Sequence, residues 1–190
     1  ISVGLELSPV LYRLNLQLQG DDADDRCSLP VGLRQIESRE GAFYINGRQT
    51  FFRGTSECCV FPRTGYPPTD VASWKKLYSV CKDYGLNHVR FHSWCPPEAA
   101  FVAADEMGIY LQPECSNAGW YAPGDDVMKD FLHRETQRII QAYGNHPSFA
   151  MFSSGHEPTG SWQETLTSWL LEWKQKDDRR LYTNQTGRFD

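Results

Sequence analysis

Polar side chains of the kinds used in acid–base catalysis recur at the ends of short apolar segments in the middle of the chain. These segments end in Arg53–Glu57, Arg90–Trp94, Gln112–Glu114 and Ser153–Glu157. A carboxyl group at such an end, enclosed by aromatic side chains, suits general acid catalysis, because partial desolvation lets it hold and release a proton near neutral pH. Glu157 fits this description best, although a single glutamate taken alone is more often an exposed loop residue.

The second segment also carries candidate substrate-positioning residues. Arg90 and His92 share one side of the predicted strand, because alternate side chains of a strand point to the same face. By the same parity Glu114 lies with Gln112 on the next strand. A structural alternative stays open for each residue: Arg90 forms an ion pair with Glu114, and His92 makes a structural hydrogen bond.

Aromatic residues near these ends could bind the faces of sugar rings. The candidates are Trp94, Trp120 and Tyr121. Trp120 and Tyr121 belong to the loop Gly119–Gly124 and are predicted to be exposed, as a binding platform requires. For all three the alternative role is packing.

Other catalytic chemistries are disfavoured by the spacing of the same residues. His88 and His92 are four apart on a strand, which separates them by more than about 10 Å and prevents shared zinc binding. His156 and Glu157 are not followed by the second histidine of an H-E-x-x-H motif. Ser153–Gly155 does not form the G-x-S-x-G of serine esterases. Asn184–Thr186 matches a glycosylation sequon, which needs a eukaryotic secretory context.

The composition limits the class of protein. The 190 residues are 40% hydrophobic and 23% charged, as in folded globular proteins, and no apolar run has the length of a membrane span. The net charge of −5 argues against a nucleic-acid partner, because phosphate binding needs a basic surface. The chain starts at Ile1 without an initiator methionine or a signal sequence, so we expect it to be mature or excised from a longer protein.

The first part of the chain has the patterns of β-strands. Leu11–Leu18 alternates apolar and polar residues and predicts a half-buried strand, and Val31–Glu37 predicts another. Asn46 and Gly47, between Phe43–Ile45 and Gln49–Arg53, predict a β-hairpin with a type I′ turn.

From Phe51 onward, short strands alternate with helices, which is the pattern that builds parallel sheets. A helix rich in inward apolar residues is predicted after Asp70 and ends by Gly85. The remaining predicted strands are 88–92, 109–114, 149–154 and 181–184, and the remaining helices are 97–107, 127–143 and 162–176. In the helix 127–143 the predicted inward residues are Phe131, Leu132, Ile139, Ile140 and Tyr143.

Four β/α units and the start of a fifth are too few to close an eight-stranded barrel. We therefore predict an α/β fold, a partial (β/α)8 TIM barrel of about four to five β/α units. The competing architecture is an open doubly wound sheet, which usually carries a glycine-rich phosphate loop that this sequence lacks.

These strand ends, read in order, resemble the catalytic half of glycoside hydrolase family 2, which includes β-galactosidases and β-glucuronidases. Phe43–Gly54 resembles the beginning of the family's barrel, and Gly85–Arg90 its second strand. Asp105–Glu114 resembles the third strand region, and Gly144–Ser148 leads to a Gly-Asn-Glu in the family, where this chain has Gly155–Glu157. Leu7–Tyr12 also resembles the end of the β-sandwich that precedes the barrel.

The resemblance implies a retaining glycosidase that acts on terminal β-glycosidic bonds with two carboxyl groups. It assigns Glu157 as the acid/base and Arg90 as an active-site arginine, and it matches Glu114 to a carboxylate that some members use for a metal ion. His156 replaces the asparagine that binds the sugar 2-hydroxyl, and Ser93 replaces a frequent histidine, with His92 one place earlier. The family's nucleophile is a glutamate on the seventh strand, which we expect beyond the end of this chain.

The resemblance also implies the domain organisation and the partners. Residues 1–40 are expected to be the last strands of an immunoglobulin-like β-sandwich, and 41–190 the first half of a catalytic barrel. The expected substrate is a carbohydrate bound by Arg90, His92, Trp94, Glu114, His156 and Trp120. We expect no metal, no other cofactor, no nucleic acid and no membrane partner. The missing barrel half or a second copy is the expected protein partner.

The family resemblance slightly favours a periplasmic or secreted protein. Two other functions stay open at this point. A non-catalytic carbohydrate-binding or structural barrel would account for His156 and the absent nucleophile, and the third alternative is a metal-dependent hydrolase.

Overall fold

The computed structural model describes residues 9–21, 23–119 and 126–187, and its chain begins with an exposed β-hairpin. Strands β1 (Tyr12–Gln19) and β2 (Asp24–Val31) are antiparallel and form a separate two-stranded sheet. The strand predicted at Leu11–Leu18 is confirmed as β1, but its predicted half-burial was wrong within the described residues: Leu14, Leu16 and Leu18 are 44%, 49% and 71% exposed. The apolar alternation is present, but no second layer formed by the described residues covers it.

A three-stranded antiparallel sheet follows, with the order β3 (Ile36–Arg39), β4 (Ala42–Ile45) and β5 (Arg48–Thr50). The single strand predicted at 31–37 is divided, since Val31 ends β2 and Ile36 begins β3. Asn46 and Gly47 have φ angles of 50° and 76°, as the predicted turn requires. β3 pairs with β4 across the position 40/41 at which we divided the chain. The division into two domains there stays a prediction.

The rest of the chain alternates five short strands with four helices. The strands are β6 (Gly54–Glu57), β7 (His88–Phe91), β8 (Tyr110–Gln112), β9 (Met151–Ser153) and β10 (Leu181–Thr183). The helices are α1 (Val71–Asp83), α2 (Glu98–Met107), α3 (Asp126–Tyr143) and α4 (Gln163–Lys176). The predicted order of elements is confirmed.

These five strands run parallel in sequence order. β6, β7 and β8 form one parallel sheet, and β9 and β10 form another. Two parallel bridges, Leu111–Phe149 and Glu114–Ser153, join the strand β8 region to the β9 region. The arrangement is that of a partial (β/α)8 barrel, and it brings the carboxyl ends of all five strands to one edge.

Local signals determine where the helices begin and end. The Asp70 carboxylate accepts a hydrogen bond from the Ser73 backbone N–H and caps α1, and Gly108 ends α2 in the left-handed conformation. In α3 the expected inward residue Phe131 is 43% exposed, so that prediction was wrong, while Thr136 is fully buried. Thr136 is polar, so the periodicity of apolar residues could not predict that it is buried.

The core lies between the strands and the helices. Val89 and Phe91 of β7 are fully buried against helical residues such as Trp74 and Phe101, while Arg90 is only partly buried on the opposite face. The predicted parity of β7 is therefore confirmed. A second cluster joins Ile36 and Ile45 to Ala150 beneath the strands. In the described part of the chain no helix combines the length and apolarity of a membrane span.

Candidate active site

The carboxyl edge of the parallel strands gathers the polar residues that the sequence singled out. Arg90 lies on β7, and Glu114 comes two residues after β8. His156 and Glu157 follow β9, and Thr186 follows β10. Bridges link Glu114 to Ser153, and His156 to Thr186, so neighbouring loops continue the strand order beyond the strands.

Glu114 is the buried centre of this group. Its side chain is fully buried, and its oxygen Oε1 accepts hydrogen bonds from Arg90 Nε at 2.6 Å and Thr186 Oγ1 at 2.7 Å. Oxygen Oε2 accepts from the Ser93 backbone N–H at 2.7 Å. The structural ion pair of Arg90 with Glu114, one of the two open interpretations, is thus present.

Arg90 connects this ion pair to the residue beside the proposed acid/base. Its Nη2 lies 2.9 Å from His156 Nδ1 and 3.1 Å from Thr186 Oγ1. The two nitrogens Nε and Nη2 therefore bind different groups, Glu114 on one side and His156 with Thr186 on the other. This arrangement holds Arg90 in one orientation, which a substrate-positioning arginine requires.

His156 is packed among charged and aromatic groups. Its ring centroid lies 4.1 Å from that of His92, and its Nε2 lies 3.7 Å from Glu157 Oε1. Burial, followed by the neighbouring His92 and Arg90, lowers the pKa of His156, while Glu114 and Glu157 oppose this shift. The histidine ring is therefore held in its neutral form at neutral pH.

Glu157 lies at the edge of this network with an unusual backbone. Its φ angle is 43°, and its backbone N–H donates to the Thr186 carbonyl at 2.9 Å. Gly187 passes close by, since a Cβ there would lie 2.7 Å from Glu157 Cγ. The Glu157 side chain is 49% exposed. The described residues therefore do not provide the aromatic enclosure that we predicted for it.

The aromatic residues that we predicted to bind sugar rings differ in what the structure shows of them. Trp94 is partly buried, donates from Nε1 to the Glu57 carbonyl at 3.2 Å, and packs edge-on against Phe61 and Phe91. These contacts indicate that Trp94 packs in the protein interior, which was the alternative to sugar binding. Trp120 and Tyr121 lie outside the described residues, so their role as a platform stays a prediction. His92, besides its contact with His156, lies 3.4 Å from Ser93 Oγ through Nδ1.

Two residues of this edge were not selected from the sequence. Thr186 was noticed only within a glycosylation sequon, yet its hydroxyl binds Glu114, and no local pattern indicated this role. Glu57 ends β6, and burial raises the pKa of its carboxyl group despite backbone N–H groups such as that of Cys59. Its position at the end of a predicted strand could have identified Glu57 as a candidate from the sequence.

The donor groups at this edge do not fit a metal ion on Glu114. Both of its oxygens already accept hydrogen bonds from Arg90, Thr186 and Ser93, and the nearby guanidinium would repel a divalent cation. The parts of the chain that the structure describes hold no group of three histidine, cysteine, aspartate or glutamate side chains suited to a metal.

Comparison with known proteins shows that this chain is similar to glycosidases. Residues 36–188 match the family described as glycosyl hydrolases family 2, TIM barrel domain. A β-galactosidase of an Arthrobacter species is 28% identical over 158 residues, which are 77% of this chain and 15% of that protein. A β-glucuronidase of Pongo abelii is 26% identical over 155 residues, which are 77% of this chain and 23% of that protein.

A solved structure agrees with these relatives. The crystal structure of a β-glycosidase from Bacteroides vulgatus is 27% identical, with a TM-score of 0.82, over 96% of this chain and 24% of that protein. The chain thus spans less than a quarter of the length of each of these three proteins.

Proposed function

Because the chain belongs to glycosyl hydrolase family 2, with residues 36–188 in the TIM barrel domain, we propose that the complete protein is an exo-acting retaining β-glycosidase. The relatives named as β-galactosidase and β-glucuronidase support this class of reaction. Because the chain covers only a small part of those proteins, the sugar and the linkage are open within the class.

Glu157 is the proposed acid/base. In a retaining mechanism this residue first protonates the leaving oxygen, and later removes a proton from the water that attacks the glycosyl-enzyme. The observation that carries the assignment is its position after the fourth parallel strand, tethered through Thr186 and beside the Arg90–His156 contact. Its half-exposed side chain can reach a substrate at the carboxyl edge of the strands.

Arg90 and His92 are proposed to position the sugar or the nucleophile. Glu114 orients Arg90 through the buried ion pair and leaves the Nη2 side of the guanidinium facing His156. The second carboxyl group of a retaining glycosidase has to lie about 5 to 5.5 Å from the acid/base. We propose that a part of the protein outside this chain supplies it, together with walls that exclude water from Glu157.

A non-catalytic carbohydrate-binding barrel is the second candidate function. One observation favours it: His156 stands before Glu157, and its Nδ1 is already bound to Arg90, so this nitrogen does not contact a sugar hydroxyl. Such a protein would bind a glycoside without cleaving it.

The test is Glu157→Gln in the complete protein. Loss of the acid/base should lower the turnover of nitrophenyl β-glycosides by roughly 10²- to 10⁴-fold, because general acid–base catalysis contributes about that factor. Azide should partly restore turnover of substrates with good leaving groups, since it attacks the glycosyl-enzyme without base assistance.

The matched control is Glu164→Gln, which changes an exposed glutamate in the first turn of α4. This variant should retain wild-type turnover. If Glu157→Gln also retains it, Glu157 is not the acid/base. If the wild-type protein binds glycosides but cleaves none, the non-catalytic function is correct.

A further inference from the structure

The position of the hydrogen on the His156 ring follows from its partners. Arginine has only donor groups, so His156 Nδ1, at 2.9 Å from Arg90 Nη2, must accept the hydrogen bond. A neutral imidazole with an accepting Nδ1 carries its hydrogen on Nε2. Nε2 is the ring nitrogen that lies 3.7 Å from Glu157 Oε1.

The neighbouring hydroxyl does not change this assignment. Thr186 Oγ1 lies 3.3 Å from His156 Nδ1, but its hydrogen has two acceptors within the protein, Glu114 Oε1 at 2.7 Å and the Gly155 carbonyl at 3.3 Å. We assign this hydrogen to Glu114, the nearer acceptor, because a carboxylate oxygen can only accept. Thr186 therefore accepts from Arg90 at 3.1 Å. Every polar hydrogen that these contacts require is then accounted for by one tautomer of His156.

Resting on the proposed function, we infer that His156 is a positioning residue for Glu157: Arg90 holds the ring so that its Nε2–H faces the carboxylate. At 3.7 Å this is a close polar contact that is longer than a hydrogen bond. An N–H group in this position constrains where the Glu157 carboxyl group can lie, which is what a positioning residue does.

The charged and titratable groups around His156 are consistent with this role. Within the described residues, Arg90 and His92 face it from β7 and the following turn, and Glu114 faces it from the residues after β8. Glu157 is its neighbour in the chain. Burial, followed by His92 and Arg90, lowers the pKa of His156, which keeps the ring neutral and Nδ1 free to accept.

Two variants of the complete protein test this inference through the pH profile. His156→Leu removes both nitrogens, whereas His156→Gln keeps an oxygen that accepts from Arg90 and an amide N–H that faces Glu157. The substrate is an alkyl β-glycoside, whose poor leaving group needs the acid. The alkaline limb of kcat/KM then reports loss of the acid's proton in the free enzyme.

His156→Leu should move the alkaline limb upward by roughly 0.5 to 1 on the pH scale, because removing a donor stabilises the protonated carboxyl group. His156→Gln should leave the limb near its wild-type position, and melting temperatures identify any general loss of structure. The matched control is His133→Leu, which changes a histidine on α3 that contacts Glu172 on α4, and it should not move the limb. An unmoved limb in His156→Leu overturns the inference, and so does an equal movement in both His156 variants.

Nitrogen NMR of the histidine-labelled protein tests the tautomer without any activity. The inference requires a hydrogen on Nε2 of His156, and a hydrogen on Nδ1 overturns it. A different result contradicts the proposed function: retained turnover in Glu157→Gln. If that variant is inactive but His156 carries its hydrogen on Nδ1, the function stands and the positioning role falls.

Discussion

At the scale of single residues, Glu114 is a carboxylate whose two oxygens both accept hydrogen bonds from the protein itself. It is fully buried and accepts from a guanidinium, a hydroxyl and a backbone N–H. These donors offset the desolvation cost of burying the carboxylate. Glu114 in turn fixes the orientation of Arg90. The resemblance matched this residue to a metal-binding carboxylate, but its contacts in this chain are those of an anchor for Arg90.

Glu114→Gln should therefore destabilise the protein, because Arg90 keeps its charge after losing its partner. We expect a loss of about 2 to 3 kcal/mol in the free energy of unfolding, measured by urea denaturation of the complete protein. The control Glu37→Gln breaks an exposed contact of 3.9 Å with Arg39 and should cost less than about 0.5 kcal/mol. Similar losses in the two variants would contradict the anchoring role.

At the scale of elements, a cluster after α4 joins the last two helices to the last strand. Asp177 follows α4 and binds Arg179 at 2.7 Å and Arg180 at 2.9 Å. Arg180, whose side chain is buried, also donates to the Gly144 carbonyl at the end of α3. Arg34, ahead of β3, donates to the carbonyls of Pro147 and Phe149. Arginines thus satisfy carbonyl groups where the helices and strands meet.

Asp177→Asn should reveal this cluster through its pH dependence. Burial opposes ionisation of Asp177, but hydrogen bonds from Arg179 and the charge of Arg180 outweigh it and lower its pKa to about 2. The folded pKa lies below the unfolded value of 3.8, so the stabilisation is present above pH 3.8 and is lost as the pH falls through 2. The variant should be less stable than wild type by about 2 kcal/mol at pH 7.

The difference between the two proteins should shrink between pH 4 and pH 2, as shown by urea denaturation at each pH. Asp178→Asn changes the exposed neighbouring aspartate and is the matched control. A stability difference for Asp177→Asn that does not depend on pH would mean that packing, and not the carboxylate charge, explains it.

At the scale of the whole molecule, the described residues leave apolar surface and strand edges without partners. One face of the β1–β2 hairpin presents Leu14, Leu16 and Leu18, with Leu29 opposite Leu14. In the described sheets, β6 and β10 each pair on one side only. Such surfaces favour association with other chains.

We therefore predict that the 190-residue chain expressed alone aggregates or needs a complementary chain. Size-exclusion chromatography with light scattering should show species larger than a monomer. Replacing Leu16 and Leu18 with serine should reduce the association, whereas replacing the buried Leu132 should not. A monodisperse monomer that unfolds cooperatively would contradict this prediction.

The sequence by itself determined the order of elements from β6 onward and the identity of the strand-end residues. Asp70, Gly85 and Gly108 act through neighbouring backbone groups, so their effect on helix ends could be predicted without the fold. The parity of β7 likewise follows from a local rule, which placed Val89 and Phe91 inside and Arg90 opposite. Glu157 and His156 were found in the same way, as residues that follow a strand.

Only the tertiary structure decided how these residues contact one another. Thr186 binds Arg90 across 96 positions of sequence and Glu114 across 72, and such pairings leave no local pattern. The exposure of the β1 leucines depends on whether a second layer covers them. The role of His156 depends on which of its nitrogens faces Arg90, because a donor-only guanidinium determines where the ring hydrogen lies.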